Sequence, residues 1–478
     1  MSQAQRRHAF YYLALVQRDP EDWSTISREL PQIQRAWQAI AHDDELVLEF
    51  VWAMDQFYLV QNRWKESIRW DKRGLEAARA LGLRKTEGEL LNNTGLAYYD
   101  LGDTQQALEY CRQALLIQEA IGDRVGQAMS LHNIGVVYNY LGHSQEGSRY
   151  YQTALQIQET EGDRDGQAAT LIDLGAIYEN GGELQRALEC FTRALALRET
   201  TGNQRGEGVA LNRIGLLHHS LGDLQQALEY FRRALAVREA IGHQKGQAAT
   251  LSNCGLIFAD LGDHHQALDY YEQALVIENA LQDQKGQTTL LGNMGWSYYE
   301  LGEYRRALQY FQQGLELTKV TGDEGGKAAA LTKMGLVYTK LGELERALAC
   351  HEKALSIHKA IGDRGWQAAT LNNLGVLYDS LEQYSTALEY YQQALSLREE
   401  IEDPVGLSVV LWNMARAYRT VGSLAEATSL LERLVLLDEA LQHPDLERHH
   451  SLLPVVCAER NRGEVQSPQE SGRPTSAS

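Results

Sequence analysis

Every forty residues a glycine returns, at Gly95, Gly135, Gly175, Gly215, Gly255, Gly295, Gly335 and Gly375, with Ala415 in the ninth place. Four residues before each stands a leucine, from Leu91 and Leu131 through to Leu411. Three residues after each stands a ring: Tyr98, Tyr138, Tyr178, His218, Phe258, Tyr298, Tyr338, Tyr378 and Tyr418. Spacings of four and three place all three on one face of a helix. Glycine inside a helix costs about 1 kcal/mol relative to alanine, so a tiny residue kept through nine units implies a neighbour pressed against it. A chain built this way buries each unit on the next, which lets it exceed the size of a single globular core.

A Leu-Gly-Asp type turn follows each of these stretches, as at Leu101-Gly102-Asp103 and Leu221-Gly222-Asp223, and reads as a helix stop followed by a restart. A second amphipathic stretch comes next. Its close-contact alanines include Ala107, Ala187 and Ala227, with bulky residues such as Tyr151, Phe191, Phe231, Tyr271, Phe311 and Tyr391 four places on. A Gly-Asp-Arg type loop, as at Gly122-Asp123-Arg124, closes the unit. No proline falls between Pro31 and Pro404, as uninterrupted helices require. The expectation is an all-α chain of tandem antiparallel helix pairs.

The leucine, glycine, tyrosine, alanine, aromatic and alanine at these offsets resemble the tetratricopeptide consensus. The forty-residue unit with its Gly-Asp-Arg-x-Gly-Gln-Ala loop is similar to the arrays of kinesin light chains and of scaffolds that orient the mitotic spindle. HEAT and pentatricopeptide arrays do not account for the glycine, ring and alanine constellation. The resemblance implies a right-handed superhelical solenoid with the first helix of each pair on its concave side. Its expected layout is a helical lead-in over residues 1–46, a divergent first unit over 47–86, nine units over 87–446, a short cap over 447–458 and a disordered tail over 459–478. In the divergent unit Asp55 takes the packing glycine's place, and Trp52, Trp64 and Trp70 cluster nearby. The lead-in, with Tyr11-Tyr12-Leu13 and then helices over 5–18 and 21–41 joined at Asp19-Pro20, resembles that of tetratricopeptide sensor regions in bacterial signal-transducing NTPases. The nucleotide-binding domain of those proteins is not within this sequence.

Composition narrows the function. A formal net charge of -19 repels phosphate backbones, which argues against nucleic acid and for a neutral or basic protein partner. No apolar run is long enough to span a membrane and no signal-peptide core precedes Gln17, so no membrane contact and a cytoplasmic location are expected. The five cysteines (Cys111, Cys190, Cys254, Cys350 and Cys457) form no CxxC pair and read as buried apolar thiols. The segment Gly322-Asp323-Glu324-Gly325-Gly326-Lys327-Ala328 lacks P-loop spacing and a final Ser or Thr. The pairs His264-His265 and His449-His450 lack metal-ligand spacing and read as solvated. No catalytic residue, metal site or cofactor is expected.

Candidate binding residues come from the face of the first helices turned away from the packing glycine. Two residues before it stand Asn93, Asn133, Asp173, Arg213, Asn253, Asn293, Lys333, Asn373 and Asn413. Asparagine disfavours helix interiors but can pair through both donor and acceptor with a peptide backbone. The alternative is a tolerated solvated row. One residue after the glycine most units carry an apolar residue, with Trp296 the largest, and groove lining and a widened buried stripe stand as equal readings. Four residues after it Tyr99, Asn139, His219, Tyr299 and Asp379 vary as a specificity-setting column would, and Arg416 and Arg419 add positive charge. The leading expectation is a non-catalytic scaffold or sensor that holds a peptide segment of a partner protein. The alternatives are the sensing region of a bacterial signalling NTPase and a structural protein that self-associates through its repeats.

Overall fold

The computed structural model describes residues 3–19, 23–442 and 445–466. Among these the chain is all helical. The lead-in is α1 (Gln3–Arg18) and α2 (Trp23–Ala39), and the divergent hairpin is α3 (Asp44–Val60) and α4 (Trp64–Ala80). Nine hairpins follow. The first five are α5 (Arg84–Asp100) with α6 (Thr104–Ile121), α7 (Arg124–Tyr140) with α8 (Ser144–Glu161), α9 (Arg164–Asn180) with α10 (Leu184–Thr201), α11 (Gln204–Ser220) with α12 (Leu224–Ala240), and α13 (Gln244–Asp260) with α14 (His264–Leu281). The remaining four are α15 (Gln284–Glu300) with α16 (Tyr304–Thr321), α17 (Glu324–Lys340) with α18 (Leu344–Ile361), α19 (Arg364–Ser380) with α20 (Tyr384–Glu400), and α21 (Pro404–Thr420) with α22 (Leu424–Leu441). The last helix is α23 (Leu446–Gln466). Two compact units divide at Thr250 and Leu251, within α13.

The local signals act as the sequence suggests. Asp123, Asp163, Asp323 and Asp363 cap first helices by accepting a hydrogen bond from the backbone N–H three residues on. Gly122, Gly162, Gly322 and Gly362 end second helices in the left-handed region, where a side chain is disfavoured. Hairpins start about three residues earlier than the expected boundaries, because the capping aspartate rather than the helix interior sets the entry. The last helix differs more. It carries Pro454 internally and runs to Gln466, past Ala458, so residues 459–466 are helical where a disordered tail was expected. Pro20, Glu21, Pro444 and the chain from Ser467 onward lie outside the described residues.

The packing glycines touch the second helix of their own hairpin. A Cβ at Gly175 or Gly295 would come within 2.5 Å of the Phe191 or Phe311 ring, and one at Gly215 within 2.6 Å of Phe231. Gly95 meets Cys111 Sγ and Gly335 the His351 imidazole in the same way. A second layer of rings had no counterpart in the sequence reading. Tyr138 stacks on Tyr150, Phe258 on Tyr270, Tyr298 on Tyr310 and Tyr378 on Tyr390, with centroids 5.1–5.3 Å apart and planes within 13°. These four hairpins are thus closed twice, by a ring on a glycine and by a ring on a ring.

In the divergent hairpin the glycine–ring pair is replaced by Asp55 and Asp71, sixteen residues apart like Gly295 and Phe311. Burial pushes the Asp55 carboxyl up to about 6, and burial followed by the Asp55 charge holds Asp71 well above its ordinary value. Beside them Trp70 is buried and stacks on Trp37 at 3.9 Å, tying α4 to the lead-in. Trp52, by contrast, is 40% exposed.

Two predictions follow from this packing. Gly295→Ala should lower stability by about 1–3 kcal/mol in thermal unfolding, despite alanine's better helix propensity, because Phe311 must leave its place. Because folding raises the Asp55 pKa to about 6, its contribution is complete below the unfolded carboxylate value of about 3.9 and is lost as pH rises through about 6; Asp71, also raised, acts in the same direction. Asp55→Asn should flatten the dependence of the melting temperature on pH between about 4 and 7.

Candidate functional site

Within each unit the first helices of successive hairpins touch one another, α5 with α7, α9 and α11 in sequence, and α15 with α17, α19 and α21. Second helices show no comparable mutual contact among the described residues. The hairpins of each unit therefore curve toward their first helices, so the face carrying the predicted binding residues lies inside the local curve.

The asparagine row is only partly open, because Asp173, Lys333 and Asn413 pack beside the residue three before the glycine of the preceding hairpin. Asn413 donates through Nδ2 to Asn372 Oδ1 at 3.0 Å. His132 Nε2 lies 3.2 Å from Asp173 Oδ2, and His132 Nδ1 lies 3.1 Å from Thr170 Oγ1. Lys333 Nζ lies over Gly292. Asn133 corrects the sequence reading, since it is 4% exposed and drops out of the open row. Asn93, Arg213, Asn253, Asn293, Lys333, Asn373 and Asn413 are half-buried, and so present an edge rather than a whole side chain. Sequence reasoning missed the inter-hairpin partners Asn92, His132 and Asn372. Their column mixes Asn, His, Ile, Ser, Gly, Thr and Trp, and shows no residue type to follow.

The next columns form aromatic steps. Trp296 is 36% exposed and stacks on Tyr299 at 4.9 Å, while Tyr299 lies 5.6 Å from Tyr304. In the other unit Tyr99 meets Tyr140 edge-on at 5.3 Å. Asn139 accepts from Ser144 Oγ at 3.1 Å and is half-buried, as are His219 and Asp379. Burial holds the Asp379 carboxyl above its ordinary value, offset by the charge of Arg416. Arg416 is exposed, whereas Arg419 is held through two bonds of 2.9 and 2.7 Å to Glu459 of α23. The expected positive spot at Arg419 is thereby neutralised, a contact hidden from sequence because Glu459 lay in the supposed tail.

The remaining candidates resolve into structural roles. Gly322 is a helix stop, Asp323 caps α17, and Lys327 Nζ reaches back to Glu324. His264 and His265 open α14. His449 is buried, not solvated. Its Nδ1 lies 2.6 Å from Asp438 Oδ2, Ser408 Oγ donates to the other carboxylate oxygen at 2.8 Å, and the Trp412 ring packs tilted against the imidazole at 4.4 Å. This buried network docks α23 onto the last hairpin, and serine and histidine approach the carboxylate rather than each other. Cys111, Cys190 and Cys254 are buried, while Cys350 and Cys457 are half-buried. No group of three metal-ligating side chains occurs among the described residues, and none of their helices is long and apolar enough to cross a membrane.

Tandem antiparallel hairpins closed by a glycine against a ring define a helical repeat protein. Tetratricopeptide repeat models match residues 86–160, 126–200, 207–277 and 326–400, and a second such model matches 289–319. The chain belongs to the tetratricopeptide repeat family. Among solved structures, the apo form of the quorum sensor NprR from B. thuringiensis is similar over 75% of this chain and 99% of its own, with a TM-score of 0.54 at 16% identity. The apo form of RapI matches 58% of this chain and 99% of its own, at a TM-score of 0.47 and 16% identity. A putative kinesin light chain structure from Podosopora anserina matches 40% of this chain and 95% of its own, at 0.35 and 18%. No curated protein sequence matches the chain.

The Asp438 network generates a prediction. Asp438→Ala should leave two buried partners unsatisfied, cost about 2–3 kcal/mol, and abolish hydrogen-exchange protection in α23 before the neighbouring hairpins lose theirs.

Proposed function

We propose that the protein is a non-catalytic binding scaffold whose first-helix face receives an extended segment of a partner protein. The observation that carries this is Trp296. A ring this large, stacked on Tyr299 and open on the inner side of the curve, is poorly used by the fold itself. It lies one helical turn from the half-buried amide of Asn293. An apolar platform beside a donor and acceptor pair suits a peptide, with the ring holding a side chain and the amide holding the backbone. Asn373 offers a second amide in the same unit. The acidic chain favours segments without net negative charge.

Peptides selected from a random display library against the full chain supply the test. Trp296→Ala, and Asn293→Ala combined with Asn373→Ala, should each weaken the selected peptides about tenfold or more, a change of at least about 1.4 kcal/mol. Helicity and melting should stay near those of the parent. Val276→Ala, on an outward-facing second-helix position, serves as the control. Undiminished affinity in the Trp296 and asparagine variants would remove the inner face as the binding surface.

A further inference from the structure

One hairpin departs from the others at two positions that face the same space. Gly292 stands where other units carry Asn92, His132, Asn372 or Trp412, and Gly314 where they carry Ala114, Ala154, Ala194, Ala234 or Ala354. Close packing does not require either glycine. A Cβ at Gly314 would lie 3.8 Å from its nearest neighbour, Leu291, and one at Gly292 would meet only Lys333 Nζ at 3.5 Å. Both are ordinary contacts, unlike the 2.5 Å approach that Gly295 needs. Each glycine costs about 1 kcal/mol in a helix interior with no packing return.

What the two glycines create is a cavity of about 200 Å³ between α15 and α17, backed by α16. Phe311, Ala329 and Ala330 give it apolar walls, and Asn293 and Lys333 stand at its polar side. Lys333 is the one lysine in the asparagine row. Its ammonium lies 5.8 Å over the Phe311 ring, with no carboxylate partner among the described residues, and burial holds its pKa below the ordinary lysine value. Lys285 also lines the cavity without an ion-pair partner among the described residues. The lining carboxylate, Asp323, is turned to the Gly326 N–H, from which its Oδ1 accepts at 2.8 Å. A half-buried ammonium with neither full hydration nor a counter-ion is a site short of one negative charge.

We propose that this cavity is a subsite for a single carboxylate on a short aliphatic stem, with the Lys333 ammonium as its counter-charge and the Phe311 and alanine walls around the stem. The carboxylate comes either from an acidic side chain of the bound segment or from a free short-chain acid. The first source rests on the binding face described above, and the second does not. It places one local acidic preference within a surface that otherwise repels acidic ligands.

Saturation-transfer NMR on the full chain separates the possibilities, with butyrate and N-acetylglutamate N-methylamide as probes and butyramide as the neutral control. At least one acid should give a signal that butyramide does not. That signal should fall tenfold or more in Lys333→Met, which keeps the stem but not the charge, and in Gly314→Leu, which fills the cavity and leaves the charge. Binding of the glutamate derivative alone assigns the subsite to a peptide side chain, and stronger binding of butyrate assigns it to a free acid. Circular dichroism should show unchanged helicity in Lys333→Met, and Gly314→Leu decides the matter if that variant is unstable. Trp296→Ala should leave the acid signal intact while losing the selected peptides, so the two readings fail separately. Absence of signal from both acids, or equal signals in the parent and both variants, overturns the subsite.

Discussion

A ring pressed against a backbone with no side chain is the contact on which the rest of the structure depends. Phe191 on Gly175, Phe231 on Gly215 and Phe311 on Gly295 bring two helices closer than any Cβ would permit. That distance sets the angle between the helices of a hairpin, and so decides which residues reach the next hairpin. The stacked rings one residue before, such as Tyr298 on Tyr310, hold the same pair from the other side. Once both contacts are made, the leucine and alanine positions close around them without further specification.

The substitutions at this contact are informative because they keep the geometry while changing the chemistry. Cys111 and His351 replace the ring and are still met by a glycine. His351 is buried, and burial alone brings its pKa down to about 4, so it serves as a neutral ring. Asp55 and Asp71 replace both partners in the divergent hairpin and convert an apolar contact into a titrating one. That hairpin instead leans on the Trp37 and Trp70 stack, which no repeat hairpin uses. Terminal elements of an array need distinct chemistry because one of their faces has no repeat to cover it. The Ser408, Asp438 and His449 network does the corresponding work at the other end, with polar bonds in place of stacked rings.

The inner face combines fold and recognition in the same side chains. Asn413 holds Asn372 of the preceding hairpin, and Asp173 holds His132. The asparagine row is therefore a ladder between hairpins as well as a row of donors and acceptors, and its ability to bind depends on the edge each amide leaves open. Unevenness along the row matters more than its regularity. Trp296, Lys333, Gly292 and Gly314 are departures from the column consensus, and they fall in two adjacent hairpins.

The helix pairs, their forty-residue register, the glycine–ring contact and the turns are legible along the chain, because each depends on residues close together in it or on one periodicity repeated nine times. So is the candidate face, since helical spacing alone says which positions point away from the packing glycine. What lies between hairpins emerges from the three-dimensional packing alone. The burial of Asn133, the bond from Asn413 to Asn372, the capture of Arg419 by Glu459 and the cavity left by Gly292 and Gly314 join residues on different helices, up to forty-one positions apart. Such contacts depend on the angle at which one hairpin meets the next, and no single column of the repeat records that angle.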